Sequence, residues 1–188
     1  MEKQPIFFKQ AKYTLLDQNT FWLCEKPDSV GMVGWDAALT RIATWVKLQD
    51  KKTGQILMVV NTHFDHIGTE ARRNSALLII EKIKEIVGTS PAILTGDFNV
   101  SEDWDAYKTI TNNEFILKDA HKVAGKRTGV DFTYHNFGKI PAEKCEKIDF
   151  IFVTPQIRVI SSYIPFSQLN DTLFLSDHNP EIVELEIK

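Results

Sequence analysis

Cysteine is scarce in this chain of 188 residues, with only Cys24 and Cys145 present. Two cysteines build neither a disulfide framework nor a zinc cluster, so each is expected to be a small buried apolar residue. Long hydrophobic runs are missing as well. The longest, Ile56 to Val60 and Ala76 to Ile80, fall far short of the roughly 18 residues that a membrane-spanning helix needs. Nor is one sign of charge in excess, since 22 Lys+Arg stand against 25 Asp+Glu for a formal charge of −3. Such a chain lacks the global basic field behind tight, non-specific nucleic-acid binding. It can still hold phosphate locally, with a metal ion supplying the positive charge. The start, MEKQPIFFKQ, shows no basic segment leading into an apolar one, so no signal peptide is read there. That leaves localisation open. With no internal repeat, no block of five like charges and no Ser/Gly linker, residues 1–188 are expected to form one domain. Nothing in the sequence demands an obligate protein partner.

What is present is an ordinary globular composition, 43% hydrophobic, 25% charged and 11% aromatic, enough to bury about 70% of the unfolded surface. Arg41 to Gln49 alternates in the manner of a strand. Asp50 to Gly54 reads as a turn, and Gln55 to His63 is apolar enough to be a strand buried on both faces. Ala76, Ile79, Ile80, Ile83 and Val87 form a helical stripe, with Thr69 able to cap its start and Gly88 its end. A short strand, Ala92 to Thr95, and a shorter helix, Glu102 to Ile110, follow. Asn112 to Glu146 reads mostly as loop. Ile148 to Val153, Ile157 to Ile164 and Glu181 to Ile187 are the last strand candidates. Sheets dominate, and the helix supply is one short of what two buried sheet faces require.

The polar residues that could do chemistry cluster where strands end, the usual place for binding loops. Asp97 and Asn99 lie two residues apart, so in extended backbone both oxygens address one point. They suit either a hard cation such as Mg²⁺ or Mn²⁺, or a turn that bonds its own backbone. Asp177-His178 sets a carboxylate beside an imidazole that can take a proton from water near neutral pH, with Asp149 a candidate to fix its tautomer; a surface turn is the alternative. His63 reads as a site residue or as a satisfied core histidine. His66 and His121 read as surface residues, and His135 is left open. Arg72 and Arg73 oppose the dipole of the long helix, so they meet an anion there or are solvated and offset by Glu70. Trp35, with Asp36 and Arg41 nearby, lines a substrate pocket or packs a loop onto the sheet.

Taken in order, Asn61-Thr62-His63, Gly96-Asp97-Phe98-Asn99, Lys147-Ile148-Asp149-Phe150 and Ser176-Asp177-His178-Asn179-Pro180 resemble the endonuclease/exonuclease/phosphatase superfamily over essentially the whole chain. Phe21 through His66 resembles a bacterial branch of it. The resemblance implies a four-layer α/β/β/α sandwich of the deoxyribonuclease-like type. It also implies a phosphoesterase using Mg²⁺ or Mn²⁺ on a phosphate-ester substrate, whether nucleic acid, nucleotide or small phosphorylated molecule. On this basis His178 is the water-activating base and Asp149 orients it. Asp97 and Asn99 position nucleophile, phosphate and a second metal. Asp177 is a ligand of the principal metal, His63 bonds a phosphate oxygen of the transition state, and Arg41, Trp35 and Arg72 are candidate substrate contacts. The family opens with a strand ending in Asn, a helix, and a strand ending in Gln-Glu, whose Glu ligates metal. Here the likeness starts only at Pro5-Ile6-Phe7-Phe8, and Glu2 and Glu25 lie in the wrong context to stand in. The sandwich is therefore expected to be incomplete at its N-terminal side. Because Mg²⁺ binds through few carboxylates, an impaired domain that only binds is the alternative expectation.

Overall fold

The structure is a computed structural model and describes residues 3–113, 115, 117–170 and 173–188, so Glu2 lies outside the described residues. In chain order the elements are β1 (Tyr13–Trp22), β2 (Ile42–Asp50), β3 (Ile56–His63), α1 (Thr69–Val87), β4 (Ala92–Asp97), α2 (Asp105–Thr111), β5 (Lys118–Asp119), α3 (Ala120–Val123), β6 (Lys126–Gly129), β7 (Asp149–Val153), β8 (Ile157–Ile164), β9 (Gln168–Asn170), β10 (Leu173–Phe174) and β11 (Ile182–Ile187). The larger sheet has the order β1-β2-β3-β4-β7-β5, the smaller one β11-β8-β6, and β9 with β10 forms a hairpin. This is a mixed α/β fold dominated by strands.

Side-chain alternation assigns each strand residue to one of two cores. On one face of the larger sheet, Met58, Val60, Leu94, Phe150 and Phe152 pack with Ala76, Ile79, Ile80 and Ile83 of α1 and with Tyr107 and Ile110 of α2. On the other face, Leu57, Ile93 and Val153 meet Ile157 and Val159 of the smaller sheet. That gives a helix layer, a sheet and a second sheet. The fourth layer expected from the resemblance is not found among the described residues. The outer face of the smaller sheet exposes Ile160, Tyr163 and Ile182 instead.

The β2–β3 hairpin, the long helix and the strands at β4, β7, β8 and β11 fall where the sequence places them. Strand β1 was not anticipated, because its residues from Thr14 to Asn19 are exposed and offer no apolar alternation. It forms by pairing with β2 as the edge of the sheet. Within the stretch read as loop, α3 carries His121, which is buried rather than at the surface, its Nδ1 2.8 Å from Ser162 Oγ.

The start of α1 also differs from expectation. Its N-cap is Gly68, not Thr69, and no side chain of the cap residue takes part. The free N–H groups of the first turn are taken from a distance: Ala71 N–H donates to Asp36 Oδ1 at 2.7 Å and Glu70 N–H to Asp36 Oδ2 at 3.3 Å. The approach is close enough that a Cβ on Gly68 would lie 2.6 Å from Asp36 Oδ1. Just before the helix, Asp65 Oδ1 accepts from Ile67 and Gly68 N–H, and Oδ2 accepts from Leu39 N–H. Burial alone would raise the Asp65 carboxyl, but these backbone donors outweigh it and hold it down at about 2.

Phe98 joins the helix-side core to the loop after β4. Its fully buried ring meets Phe64 at 4.9 Å and Phe152 at 5.2 Å, both edge to face. Phe98→Ala is expected to cost about 3–5 kcal/mol in chemical denaturation, through lost burial and the cavity left behind.

Candidate active site

Strand pairing lines up three polar residues. Parallel pairing of β3 with β4 sets His63 beside Asp97, and antiparallel pairing of β4 with β7 sets Asp97 beside Asp149. All three share the parity of Val59, Ile93 and Ile151, so they project into the space between the sheets, just past the end of its apolar core. Here the core gives way to an open cleft of about 640 Å³. Close strand approach one residue earlier depends on Gly96, where a Cβ would lie 2.2 Å from the Thr62 carbonyl oxygen.

His178 reaches the row from the segment before β11. Its backbone bridges Tyr134, whose ring lies 5.0 Å from the imidazole, and its N–H donates to Ser176 Oγ at 3.1 Å. Thr133 ties this segment to β7: its carbonyl accepts from Asn179 N–H, and its Oγ1 accepts from the N–H groups of Ile148 and Asp149, each at 3.0 Å.

The central contact is between His178 Nδ1 and Asp149 Oδ2, at 2.7 Å. With Asp149 ionised, Nδ1 carries the proton and donates it, so in the neutral ring Nε2 holds a lone pair. That nitrogen lies 4.0 Å from Asp97 Oδ2, and His63 Nε2 lies 3.4 Å from the same oxygen. Burial works to lower the His178 pKa, but the Asp149 hydrogen bond and the charges of Asp149, Asp97 and Asp177 outweigh it and raise the pKa above the usual imidazole value. Asp97 is pushed up by burial and by repulsion from Asp149, with His63 and the Asn99 N–H opposing.

The same crowding makes a candidate metal site. One ligand atom each from Asp97, Asp149 and His178 lies within 4.8 Å of the others. Two carboxylates and an imidazole fit a divalent cation that favours oxygen donors, and a cation would relieve the repulsion that raises Asp97.

Other candidates land elsewhere. Asn99 Nδ2 donates to the Phe64 carbonyl at 3.0 Å, and its N–H donates to Asp97 Oδ1 at 2.9 Å, so it braces Asp97 from behind. Asp177 is outside the group of three; its Oδ1 accepts from Ser176 Oγ and its carbonyl accepts from His135 N–H. Trp35, its N–H donating to Glu25, does not line the cleft. Arg41 and Arg72, expected to contact substrate, are buried around Asp65 instead. Arg41 Nε lies 3.7 Å from Asp65 Oδ2, while Arg72 donates to the Asp65 carbonyl at 3.0 Å and stacks 4.9 Å from the Trp104 ring. The physical reason is that the buried Asp65 carboxylate requires countercharge where it sits. Cys24 is buried as expected, whereas Cys145 is only partly so. Sequence reasoning missed Thr133 and Tyr134, which lie in a stretch with no periodic signal and matter only through pairing at a distance.

In chelator-treated protein, the His178 imidazole followed by NMR is expected to titrate above pH 6.5, the ordinary value. Asp149→Asn should move the midpoint to lower pH, because it removes the charge that favours the protonated ring. A midpoint unchanged by that substitution would contradict the geometry.

Residues 4–178 match the model of the Endonuclease/Exonuclease/phosphatase family. The fold is similar to that of an endonuclease/exonuclease/phosphatase from Bacteroides vulgatus, at 63% identity and a TM-score of 0.93, covering 96% of this chain and 69% of that one. A mannosyl-6-phosphatase of Bacteroides thetaiotaomicron is 34% identical with a TM-score of 0.87, covering 96% of this chain and 69% of its own. An uncharacterized protein of Acanthamoeba polyphaga mimivirus is 30% identical over 175 residues, 88% of this chain, and this chain spans 63% of its length. The order of the motifs, the cleft they line and the extent of these matches together place the chain in the endonuclease/exonuclease/phosphatase family.

Proposed function

We propose that this protein is a divalent-metal-dependent phosphoric ester hydrolase in which His178 activates a water for in-line attack at phosphorus. The observation that carries the reading is the 2.7 Å bond between His178 and Asp149, formed where Asp97 and His63 face the same cleft. Asp149 fixes the tautomer and stabilises the imidazolium that forms as Nε2 takes the proton from water. His63, on the far side of Asp97, is placed to donate to a phosphate oxygen as charge builds there. Asn99 acts through Asp97, which it holds with its N–H. Asp97 and Asp149 are the side chains placed to hold Mg²⁺ or Mn²⁺, with Asp177 adding negative charge nearby. When bound, the cation neutralises charge developing on the phosphoryl oxygens.

For the substrate, two observations favour a small phosphorylated molecule over long nucleic acid. A relative 34% identical carries the name mannosyl-6-phosphatase. In addition, a net charge of −3 leaves little to gain from counterion release along a duplex.

Hydrolysis of p-nitrophenyl phosphate and bis-p-nitrophenyl phosphate is measured with Mn²⁺. Wild type is expected to turn over at least one ester, chelator to abolish the rate and added Mn²⁺ to restore it. His178→Ala should lower kcat by about 100-fold or more. Failure of the wild-type protein on both esters would overturn the reading.

A further inference from the structure

At the cleft wall, to which Glu181 contributes, a second charged pair joins the same two chain segments as His178 and Asp149. Lys147 lies two residues before Asp149, and Glu181 lies three residues after His178. Lys147 Nζ is 2.9 Å from Glu181 Oε2, and the side chains are only 6% and 3% exposed. A buried ion pair of this kind brings little net stability, because desolvation offsets most of the attraction. Something other than stability is the better account of it.

The remaining bonds of the pair point to that role. Nζ also donates to the backbone carbonyl of Asp149 at 2.9 Å and lies 3.9 Å from the centre of the Phe150 ring. Glu181 Oε1 accepts from Ser162 Oγ at 3.2 Å, and Ser162 Oγ in turn lies 2.8 Å from His121 Nδ1. Asp149 is thus held at three points: by Thr133 Oγ1 at its N–H, by Lys147 at its carbonyl and by His178 at its carboxylate. The Thr133 contact reaches the segment that carries His178 through Asn179, and the Lys147 contact reaches it through the charge of Glu181.

We propose that Lys147, fixed by Glu181, is a positioning residue that sets the orientation of Asp149 toward His178. The pair fastens the start of β7 to the chain leading into β11, so the carboxylate and the imidazole meet at bonding distance without adjustment by either. The proposal rests on reading Asp149 and His178 as the water-activating pair, and it deepens that reading by naming what holds the pair in register.

The test compares wild type with the double variant K147M/E181M, which replaces both charges by apolar groups of similar length and so leaves neither charge buried alone. Two readouts are taken on the full chain. One is the downfield proton NMR signal of the His178 Nδ1–H shared with Asp149, which needs no substrate. The other is ester hydrolysis with Mn²⁺. If the proposal holds, the variant melts cooperatively, its downfield signal broadens or disappears, and kcat falls about 10-fold or more while KM stays within about twofold. A cooperative variant with the wild-type signal and wild-type kcat would reduce the pair to packing and overturn the proposal. Should the double variant fail to fold, Glu181→Gln, which keeps the shape and the bond from Ser162, is read in the same way. A weakened signal then supports the proposal and an unchanged one overturns it. A wild-type protein that shows the signal but hydrolyses neither ester would sink the phosphoesterase reading, and the NMR comparison would still decide the positioning role.

Discussion

Asp97 and Asp149 stand opposite each other on adjacent antiparallel strands, and the ladder gives neither room to withdraw. Like charges so placed repel, and burial at the end of the inter-sheet core makes water a poor screen. The rest of the site answers that constraint. His63 approaches Asp97 from β3, His178 bonds Asp149 from the far side, and the Asn99 N–H takes the other Asp97 oxygen. Each lowers the cost of holding two carboxylates together. A divalent cation in the same place would remove most of it, which is why crowded acids and metal affinity go together.

The second organising feature is the pairing of buried charges around Asp65 and at Lys147. Asp65, fed by backbone donors, draws Arg41 and Arg72 into the interior around the start of α1. Lys147 and Glu181 neutralise each other between the sheets. Asp36, at the opposite end of the scale, is exposed and yet caps the long helix from 35 residues away in sequence, by its bond to Ala71. The arginines that looked free to meet substrate are therefore committed to the scaffold. The cleft itself offers His63 and His178 as its ring donors.

Parts of this were legible before folding. The run from Gln55 to His63 and the stripe from Ala76 to Val87 have periods that physics reads directly, because alternate or every third and fourth residues must face a core. Gly-Asp-Phe-Asn and Ser-Asp-His-Asn-Pro were legible as candidate chemistry because few residue types act as hard ligands or bases. Strand β1 was not, since an edge strand with a solvated face needs no apolar pattern and gains its order from β2. The cap of α1 was not, since the capping oxygen comes from Asp36 rather than from the preceding residue. His121 looked like any polar surface residue until Ser162 arrived from another sheet.

The amino-acid order by itself determined the strands and helices that carry a periodic apolar pattern, and which side chains are candidates for proton transfer and metal binding, because both follow from local periodicity and from side-chain chemistry. Only the tertiary structure decided that His63, Asp97 and Asp149 stand in one row, that Asp149 rather than Asp177 joins Asp97 and His178, and that Arg41 and Arg72 turn inward. Those outcomes depend on strand register and on competition for buried charge, and both are set between residues far apart in the chain.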